Sequence, residues 1–258
     1  MNYGVLLGKQ NTDYVAGTLP YQELNPTGNW KNYLPPGEWQ KPGLVDTMAC
    51  VTFSLINAIE TQEKFLTGVQ ANYSDRWIAM MSETTEQGNW LYKVADTVRK
   101  YGLVKEESWP TPPNPTWDTY YAKPDAQKQA LLEAEGEEWL KTHTLQYEWL
   151  TTSLEDIQKH LKHTPLQVVI PGHAIEGFHE IGDTTHYFDS YSPFEKSTWR
   201  GNLVDVLKPL LTIKEMNQFK TQNFKGELRI VLQAATPQEW EALCKIYGKN
   251  PQQMDEIV

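Results

Sequence analysis

One of the two cysteines stands where a helix is predicted to begin, and a thiol in that position can act as a nucleophile. The helix is predicted from Cys50 onward because apolar residues recur there at helical spacing, and Asp46 or Thr47 is expected to cap its first turn. The positive end of the helix dipole favours the thiolate, which is the reactive form of cysteine. A lone cysteine in a helix is more often a small buried apolar residue, so a packing role stays open; Cys244 is assigned to packing in a terminal helix.

A histidine and an aspartate are predicted to meet in the second half of the chain. His173 opens a predicted strand after the turn Pro171-Gly172, and Asp189 is expected on the next strand of the same hairpin. A carboxylate that holds one ring nitrogen of an imidazole leaves the other nitrogen free to exchange a proton with a thiol. His173 and Asp189 are therefore candidates for the base and for the group that orients it. The alternative for Asp189 is a turn-capping aspartate.

The other histidines are weaker candidates for chemistry. His186 is the rival base, since it precedes Asp189 by three positions, but residues three apart on a strand point to opposite faces. His160 and His163 have a spacing that occurs in metal sites, yet no further ligands follow at a suitable distance, so no metal is predicted. His179 is expected to be solvated near a turn. The thiol chemistry itself needs no organic cofactor.

The elements that must position these residues come as helices first and antiparallel strands second. Helices are predicted from residue 50, over 90–101 and about 125–140, and from the capping boxes at Ser153 and Thr236. Strands are predicted over 166–170, 173–178, 186–191, 203–207 and 228–232. This segregation favours an α+β fold with two lobes that face each other across a cleft. We expect an extended N-terminal arm over 1–45, a helical lobe with the nucleophile helix over 46–150, and an antiparallel β lobe with a C-terminal helix over 151–258.

Composition excludes several classes of function. The chain has 258 residues and a formal net charge of -10, so a general nucleic-acid partner is not expected. It has no apolar run long enough to span a membrane and no signal peptide at its start, so we expect neither a membrane partner nor secretion by that route. Two widely spaced cysteines do not make a disulfide framework, which favours reduced thiols in a cytosol-like compartment.

Several short motifs resemble those of papain-like cysteine peptidases and follow one another in that family's order. Residues 46–54 (DTMACVTFS) are similar to the nucleophile helix. Gly88-Asn89, a helix and the stretch 101–110 (YGLVKEESWP) are similar to the family's Gly-Gly-Asn, helix, Tyr-Gly-Ile and Tyr-Pro sequence. Residues 154–170 resemble its helix that leads into a strand.

Two further motifs complete the resemblance. His173-Ala174-Ile175 with Asp189-Ser190-Tyr191 resembles the family's His-Ala-Val and Asn-Ser-Trp, and Asn29-Trp30-Lys31 followed by Gln40 resembles Asp-Trp-Arg followed by the oxyanion-hole glutamine. The resemblance covers about residues 29–195 and looks like a divergent peptidase of phage or bacterial type. It implies a papain-like two-lobe fold with the active site in the cleft. The residues it assigns are Cys50, His173 and Asp189 for catalysis, Gln40 for the oxyanion hole, and Gly88 and Asn89 for substrate binding.

The chain also departs from the family pattern. Residues 46–49 replace the glycine-rich turn before the nucleophile, and Asp189 stands where the family has asparagine. The family's disulfide cysteines are absent, no long inhibitory segment is expected before the enzyme part, and the loop before His173 is cut to two residues. For Gly88 the alternative is a plain glycine at a helix start.

The leading hypothesis is a cysteine-dependent hydrolase that cleaves peptide or amide bonds in a peptide or protein substrate through a thioester intermediate. One alternative keeps the same triad for acyl transfer or for a peptidoglycan amidase. Another is a catalytically reduced scaffold that serves as a structural or interaction protein, for example a phage virion component with virion proteins as partners. The altered approach to Cys50 favours this last alternative. The expected location is cytoplasmic or virion-associated.

Overall fold

The computed structural model of the chain describes residues 3–10, 19 and 21–214. Its helices are α1 (Cys50–Thr67), α2 (Asp75–Met81), α3 (Leu91–Tyr101), α4 (Trp117–Tyr120), α5 (Ala126–Thr142) and α6 (Leu154–Leu161). Its strands are β1 (Val5–Leu6), β2 (Asn89–Trp90), β3 (His143–Leu150), β4 (Leu166–Ile170), β5 (His173–Ile181), β6 (Thr184–Phe188), β7 (Glu195–Trp199) and β8 (Asp205–Ile213). None of the helices in these residues is both long enough and apolar enough to cross a membrane.

Six strands form one sheet in the order β3-β8-β4-β5-β6-β7. Strand β4 pairs antiparallel with β5 and β8, and β6 pairs antiparallel with β5 and β7. Strands β1 and β2 form a separate parallel pair, in which Val5 lies opposite Asn89 and Leu6 opposite Trp90. Most helices precede the sheet along the chain, so the predicted α+β class is confirmed.

The chain divides into two compact units, one of residues 1–140 with 145–211 and one of residues 141–144 with 212–258. Every candidate site residue lies in the first unit. The predicted division into an arm (1–45), a helical lobe (46–150) and a β lobe (151–258) stays a prediction. The predicted strand at 228–232, the helix from Thr236 and Cys244 lie outside the described residues.

Helix α1 is the buried centre of the helical part. Residues 50–62 are buried throughout, and the helix packs against β4, β5, α2 and α3. Gln167 on β4 ties its first turn to the sheet, because its Nε2 donates to the Val51 carbonyl (2.8 Å) and to the Ser54 hydroxyl (2.9 Å). Gly68 ends the helix at φ 74°, where a residue without Cβ avoids a steric penalty.

Trp30 anchors the chain that leads to the site. Its ring is fully buried in an apolar cluster formed by α6 and the sheet. The indole Nε1 donates to the Leu161 carbonyl (2.6 Å), and the backbone N–H donates to the Phe178 carbonyl (3.0 Å). A buried tryptophan with its N–H satisfied fixes a segment firmly, and here the segment runs on to Gln40.

Several predicted elements coincide with observed ones. Helix α3 ends at Gly102, and Ser153 accepts a hydrogen bond from the Asp156 N–H (3.2 Å) at the start of α6. Strand β6 ends at Phe188, so Asp189 lies just past a strand and the prediction of a strand through residue 191 is wrong. Strands β3 and β7 and helix α2 were not predicted.

Candidate active site

Cys50 is the first residue of α1 and is fully buried. The N-cap is Ala49, which has no side chain for capping, so the predicted cap by Asp46 or Thr47 is wrong. The Thr47 hydroxyl instead donates to the Gln40 carbonyl (2.8 Å), and Asp46 accepts from the Met48 N–H (3.0 Å). These two residues shape the turn before the helix and leave the first-turn amides of α1 without a side-chain cap.

The Cys50 thiol sits against the strand that begins with His173. Its Sγ accepts a hydrogen bond from the Ala174 N–H at 3.4 Å, which brings the sulfur to the residue next to His173. Burial raises the pKa of Cys50 to about 12, although the Ala174 N–H opposes the change and the charges of Asp46 and Asp189 add to it. In this arrangement the thiol is protonated at neutral pH, because burial outweighs the influence of the helix end.

His173 and Asp189 form a buried pair. The His173 Nε2 lies 2.7 Å from the Asp189 Oδ1, and both side chains are 5% exposed. The turn at Pro171-Gly172, with Gly172 at φ 79°, returns the chain so that His173 pairs with Ile170. Among the described residues, the other ring nitrogen, Nδ1, is buried and has no hydrogen-bond partner. That nitrogen is available to receive a proton when Nε2 carries the hydrogen given to Asp189.

His173 and Lys196 both act on the Asp189 carboxylate. Burial by itself would raise the pKa of Asp189, but its hydrogen bonds and charge interactions with His173 and Lys196 outweigh burial and lower the pKa. The Lys196 Nζ lies 2.8 Å from Oδ2, the oxygen that does not face His173. Asp189 is therefore ionised and held at both oxygens. Sequence reasoning missed Lys196, because no motif marks it and strand β7 was not predicted.

Gln40 lies beside the same group of residues. Its Nε2 donates to the Asp46 Oδ1 (2.9 Å) and to the Tyr3 carbonyl oxygen (2.8 Å), and its Oε1 accepts from the Ser190 hydroxyl (3.0 Å). Asp46 and Ser190 thus fix the orientation of the amide. The remaining N–H of that amide faces a backbone carbonyl oxygen, which is the kind of group that an oxyanion-hole donor receives.

Gly88 and Asn89 lie against the backbone of Gly4. Gly88 has φ 98°, and a Cβ added there would lie 1.9 Å from the Gly4 carbonyl oxygen. The Asn89 N–H donates to that same oxygen at 2.9 Å. The Asn89 side chain is buried and holds the preceding turn, where its Nδ2 donates to Ser82 and Thr84. A peptide backbone can therefore lie against this edge, but the Asn89 side chain is committed to the fold.

The backbone that occupies this edge is the chain's own N-terminal segment, Tyr3–Leu6. The Tyr3 N–H donates to the Gly172 carbonyl (2.7 Å), and the Tyr3 ring lies edge-on to the His173 ring with centroids 5.0 Å apart. The segment thus contacts the residues around His173, Gln40 and Gly88 at once. The sequence predicted an extended arm here, but nothing in its pattern indicated that the arm would cover the candidate site.

The rival histidines lie elsewhere in the first unit. His186 pairs in register with His179, and their rings are stacked with centroids 6.0 Å apart. His160 and His163 are buried near Lys208, and burial followed by the charge of Lys208 lowers the pKa of His163 to about 4. Within the described part of the chain, no three His, Cys, Asp or Glu residues are grouped so that they could hold a metal ion.

Comparison with known proteins gives matches among solved structures only. The chain is similar to xylellain, a cysteine protease from Xylella fastidiosa, with a TM-score of 0.56 and 12% identity over 80% of this chain and 94% of that one. It is also similar to procathepsin L 3 of Tenebrio molitor larval midgut (TM-score 0.54, 13% identity, 77% and 73% covered). A third similar structure is the Amb a 11 cysteine protease of ragweed pollen in its proform (TM-score 0.53, 16% identity, 74% and 67% covered).

The chain has the papain-like fold. The predicted papain-like fold is confirmed by this likeness. No protein-family model and no curated protein sequence matches the chain. The papain-like neighbours come from a plant, an insect and a bacterium, and the phage or bacterial type stays a prediction. The roles of Cys50, His173, Asp189, Gln40, Gly88 and Asn89 also stay predictions.

Proposed function

We propose that this papain-like chain is a cysteine-dependent hydrolase that cleaves peptide or amide bonds, with Cys50 as nucleophile and His173 as base. The observation that carries the proposal is the His173–Asp189 pair at 2.7 Å, with Nδ1 left without a partner beside the strand residue that bonds to the Cys50 sulfur. An imidazole held in this way can take a proton from a neighbouring thiol. Structural neighbours that are cysteine proteases support the same reaction class.

The first half of the reaction forms a thioester. His173 takes the thiol proton at Nδ1, and the Cys50 thiolate attacks the carbonyl carbon of the substrate. The negative oxygen accepts hydrogen bonds from Gln40 Nε2 and from the Cys50 backbone N–H, which has no acceptor inside its helix. His173 then gives its proton to the leaving nitrogen, the C–N bond breaks and the amine departs.

The second half releases the acid. His173 removes a proton from water while that water attacks the thioester carbonyl. The C–S bond then breaks, the acid departs, and His173 gives its proton to the Cys50 sulfur. Asp189 keeps the imidazole in one orientation throughout and stabilises its charged form. Every step uses side chains of the first compact unit.

Substrate can reach Cys50 only after the N-terminal segment Tyr3–Leu6 has left. The Tyr3 carbonyl accepts a hydrogen bond from Gln40 Nε2, and the Gly4 carbonyl accepts one from the Asn89 N–H. These are the two donors that a substrate backbone would use. Displacement also admits water to a thiol whose pKa is raised chiefly by burial. We therefore propose that the described arrangement is a closed state of the enzyme.

The test is labelling of the full chain with a thiol-reactive epoxide, with mapping of the modified residue and an assay on fluorogenic peptide substrates. We expect modification of Cys50, loss of cleavage on labelling and no cleavage by Cys50→Ala. Cys244→Ala is the matched control and should keep both properties. Cleavage that survives Cys50→Ala would refute the proposal.

The reduced-scaffold alternative has one observation in its favour, namely the complete burial of Cys50 beneath a covered site. It predicts that Cys50 reacts no faster than an ordinary buried thiol and that no peptide is cleaved. Acyl transfer or peptidoglycan amidase activity would instead appear as amine incorporation or as cell-wall turnover. The virion partners and both proposed locations stay predictions.

A further inference from the structure

Lys196 completes the environment of Asp189 from the side away from His173. Its Nζ lies 2.8 Å from Asp189 Oδ2, whereas Oδ1 accepts from the His173 ring at 2.7 Å and from the Tyr191 N–H at 3.2 Å. The Asp189 side chain is 5% exposed and that of Lys196 is 26% exposed. The ion pair is thus largely shielded from water. A charge interaction in such a place is stronger than on an open surface.

The hairpin formed by β6 and β7 produces this contact. Lys196 lies opposite Tyr187 in the strand register, and the Asp189 N–H donates to the Phe194 carbonyl (2.8 Å) where the loop closes. The lysine therefore returns to Asp189 from a paired strand, which limits the positions its ammonium group can take.

A carboxylate at position 189 has an electrostatic consequence that an amide lacks. Its negative charge opposes ionisation of the thiol and is among the influences that raise the pKa of Cys50. A positive charge 2.8 Å from the same carboxylate opposes this effect of the carboxylate on the sulfur. The papain-like motif that this stretch resembles has a neutral asparagine instead.

We propose that Lys196 is a positioning residue of the active site, which holds the second oxygen of Asp189 and neutralises its charge so that the pair acts on His173 and Cys50 as a neutral amide would. The inference rests on the proposed function, since it assigns the residue that tunes the thiol–imidazole pair. Lys196 acts through Asp189, because its ammonium group contacts the carboxylate oxygen that faces away from the imidazole.

The test is the pH profile of Cys50 alkylation by iodoacetamide in the full chain, followed site by site by mass spectrometry. In Lys196→Met, the pH at which Cys50 becomes reactive should rise by about one unit, because the thiolate then forms next to an uncompensated carboxylate. Lys196→Gln should give a similar rise, because it keeps a hydrogen-bond donor and loses the charge. The double variant Asp189→Asn with Lys196→Met should return the profile to within a few tenths of a unit of the parent.

Lys31→Met is the matched control. Lys31 lines the same surface pocket as Lys196, but its ammonium group lies 2.6 Å from Glu195 and not on Asp189. Its removal should leave the profile unchanged. The inference is overturned if Lys196→Met gives the parent profile, if Lys31→Met shifts it as much, or if the double variant keeps the shift.

Failure of the inference and failure of the proposed function are separable. If the parent cleaves peptides and Lys196→Met leaves the pH profile where it was, the function stands and the positioning role is wrong. If the parent cleaves nothing, the alkylation profiles still show whether Lys196 controls ionisation at Cys50. Circular dichroism of each variant at the assay pH verifies that the fold is kept.

Discussion

A methyl group at position 4 should uncover the candidate site. Gly4 has φ 108°, a conformation that residues with a Cβ rarely adopt, and a Cβ built there lies 2.0 Å from the Met48 carbonyl oxygen. The three atoms nearest to that Cβ all belong to the Met48 backbone, so no flexible side chain can move aside. Gly4→Ala should therefore expel the N-terminal segment Tyr3–Leu6 rather than be accommodated in place.

The size of the effect follows from the contacts that hold the segment. The hydrogen bonds that fasten it include three at its first two residues, namely Tyr3 N–H to Gly172, Gln40 Nε2 to Tyr3, and Asn89 N–H to Gly4. At about 1 kcal/mol net for each, they contribute about 3 kcal/mol to the closed state. Since 1.4 kcal/mol corresponds to about tenfold in population, losing half to all of this should raise the open fraction by about 10- to 100-fold.

The assay is the second-order rate of Cys50 alkylation in a Cys244→Ser background, so that only one thiol is counted. Gly4→Ala should react about 10- to 100-fold faster than the parent, with an equal melting temperature for the remaining fold. Leu7→Ala is the control, because Leu7 lies in the same stretch but is 57% exposed and follows the paired residues. An alkylation rate in Gly4→Ala equal to that of Leu7→Ala would refute the claim that the segment protects the thiol.

Three further predictions concern stability and are measured by urea denaturation. Lys208→Met should destabilise the fold by about 3–5 kcal/mol, because the Lys208–Glu148 pair (2.8 Å) is fully buried and the substitution removes the ammonium group that offsets the buried carboxylate. Gly102→Ala should cost at least about 1 kcal/mol, because Gly102 has φ 69° and a Cβ there lies 2.0 Å from the Gly136 carbonyl oxygen. Burial raises the pKa of Glu176 to about 8, above its unfolded value, so the parent should lose stability as pH rises from about 4.5 to 8, and Glu176→Gln should reduce that loss. For Lys208→Met and Gly102→Ala, a urea midpoint equal to that of the parent would contradict the prediction. For Glu176→Gln, the contradicting result is a variant whose urea midpoints at pH 5 and pH 8.5 both equal those of the parent.

The elements around the His173 strand were predictable because their sequence signals are local. The two-residue turn Pro171-Gly172 sets the register of β4 and β5, and Gly102 marks the end of α3 through its positive φ. Alternating or helical apolar spacing fixed the faces of these elements. Such signals depend on a few neighbouring residues and need no knowledge of the rest of the chain.

Other features could not be predicted because they depend on distant parts of the chain. The start of α1 carries no side-chain cap, since Asp46 is engaged with Gln40 and Thr47 with the Gln40 carbonyl. Strand β7 has alternating exposure on a polar sequence, so no apolar pattern marks it. Lys196 becomes informative only when β7 pairs with β6 and brings its ammonium group to Asp189.

The covering of the site was beyond sequence reasoning for the same reason. The contacts of Tyr3 and Gly4 reach Gln40, Asn89 and Gly172, which lie far along the chain. Neither residue belongs to a motif. The fold alone brings a short N-terminal stretch to the donors that a substrate backbone would need.

One movement would change both properties on which thiol chemistry at this site depends. With the N-terminal segment in place, Cys50 is buried and its pKa is raised to about 12. The N–H of the Gln40 amide that is not bound to Asp46 donates to the Tyr3 carbonyl. When the segment leaves, water reaches the sulfur, and the Gln40 donor is released for a developing oxyanion. Because the two changes have a common cause, thiol reactivity and peptide cleavage should rise together in any variant that loosens Tyr3–Leu6. A variant that raised only thiol reactivity would separate them and show that Gln40 is not an oxyanion donor.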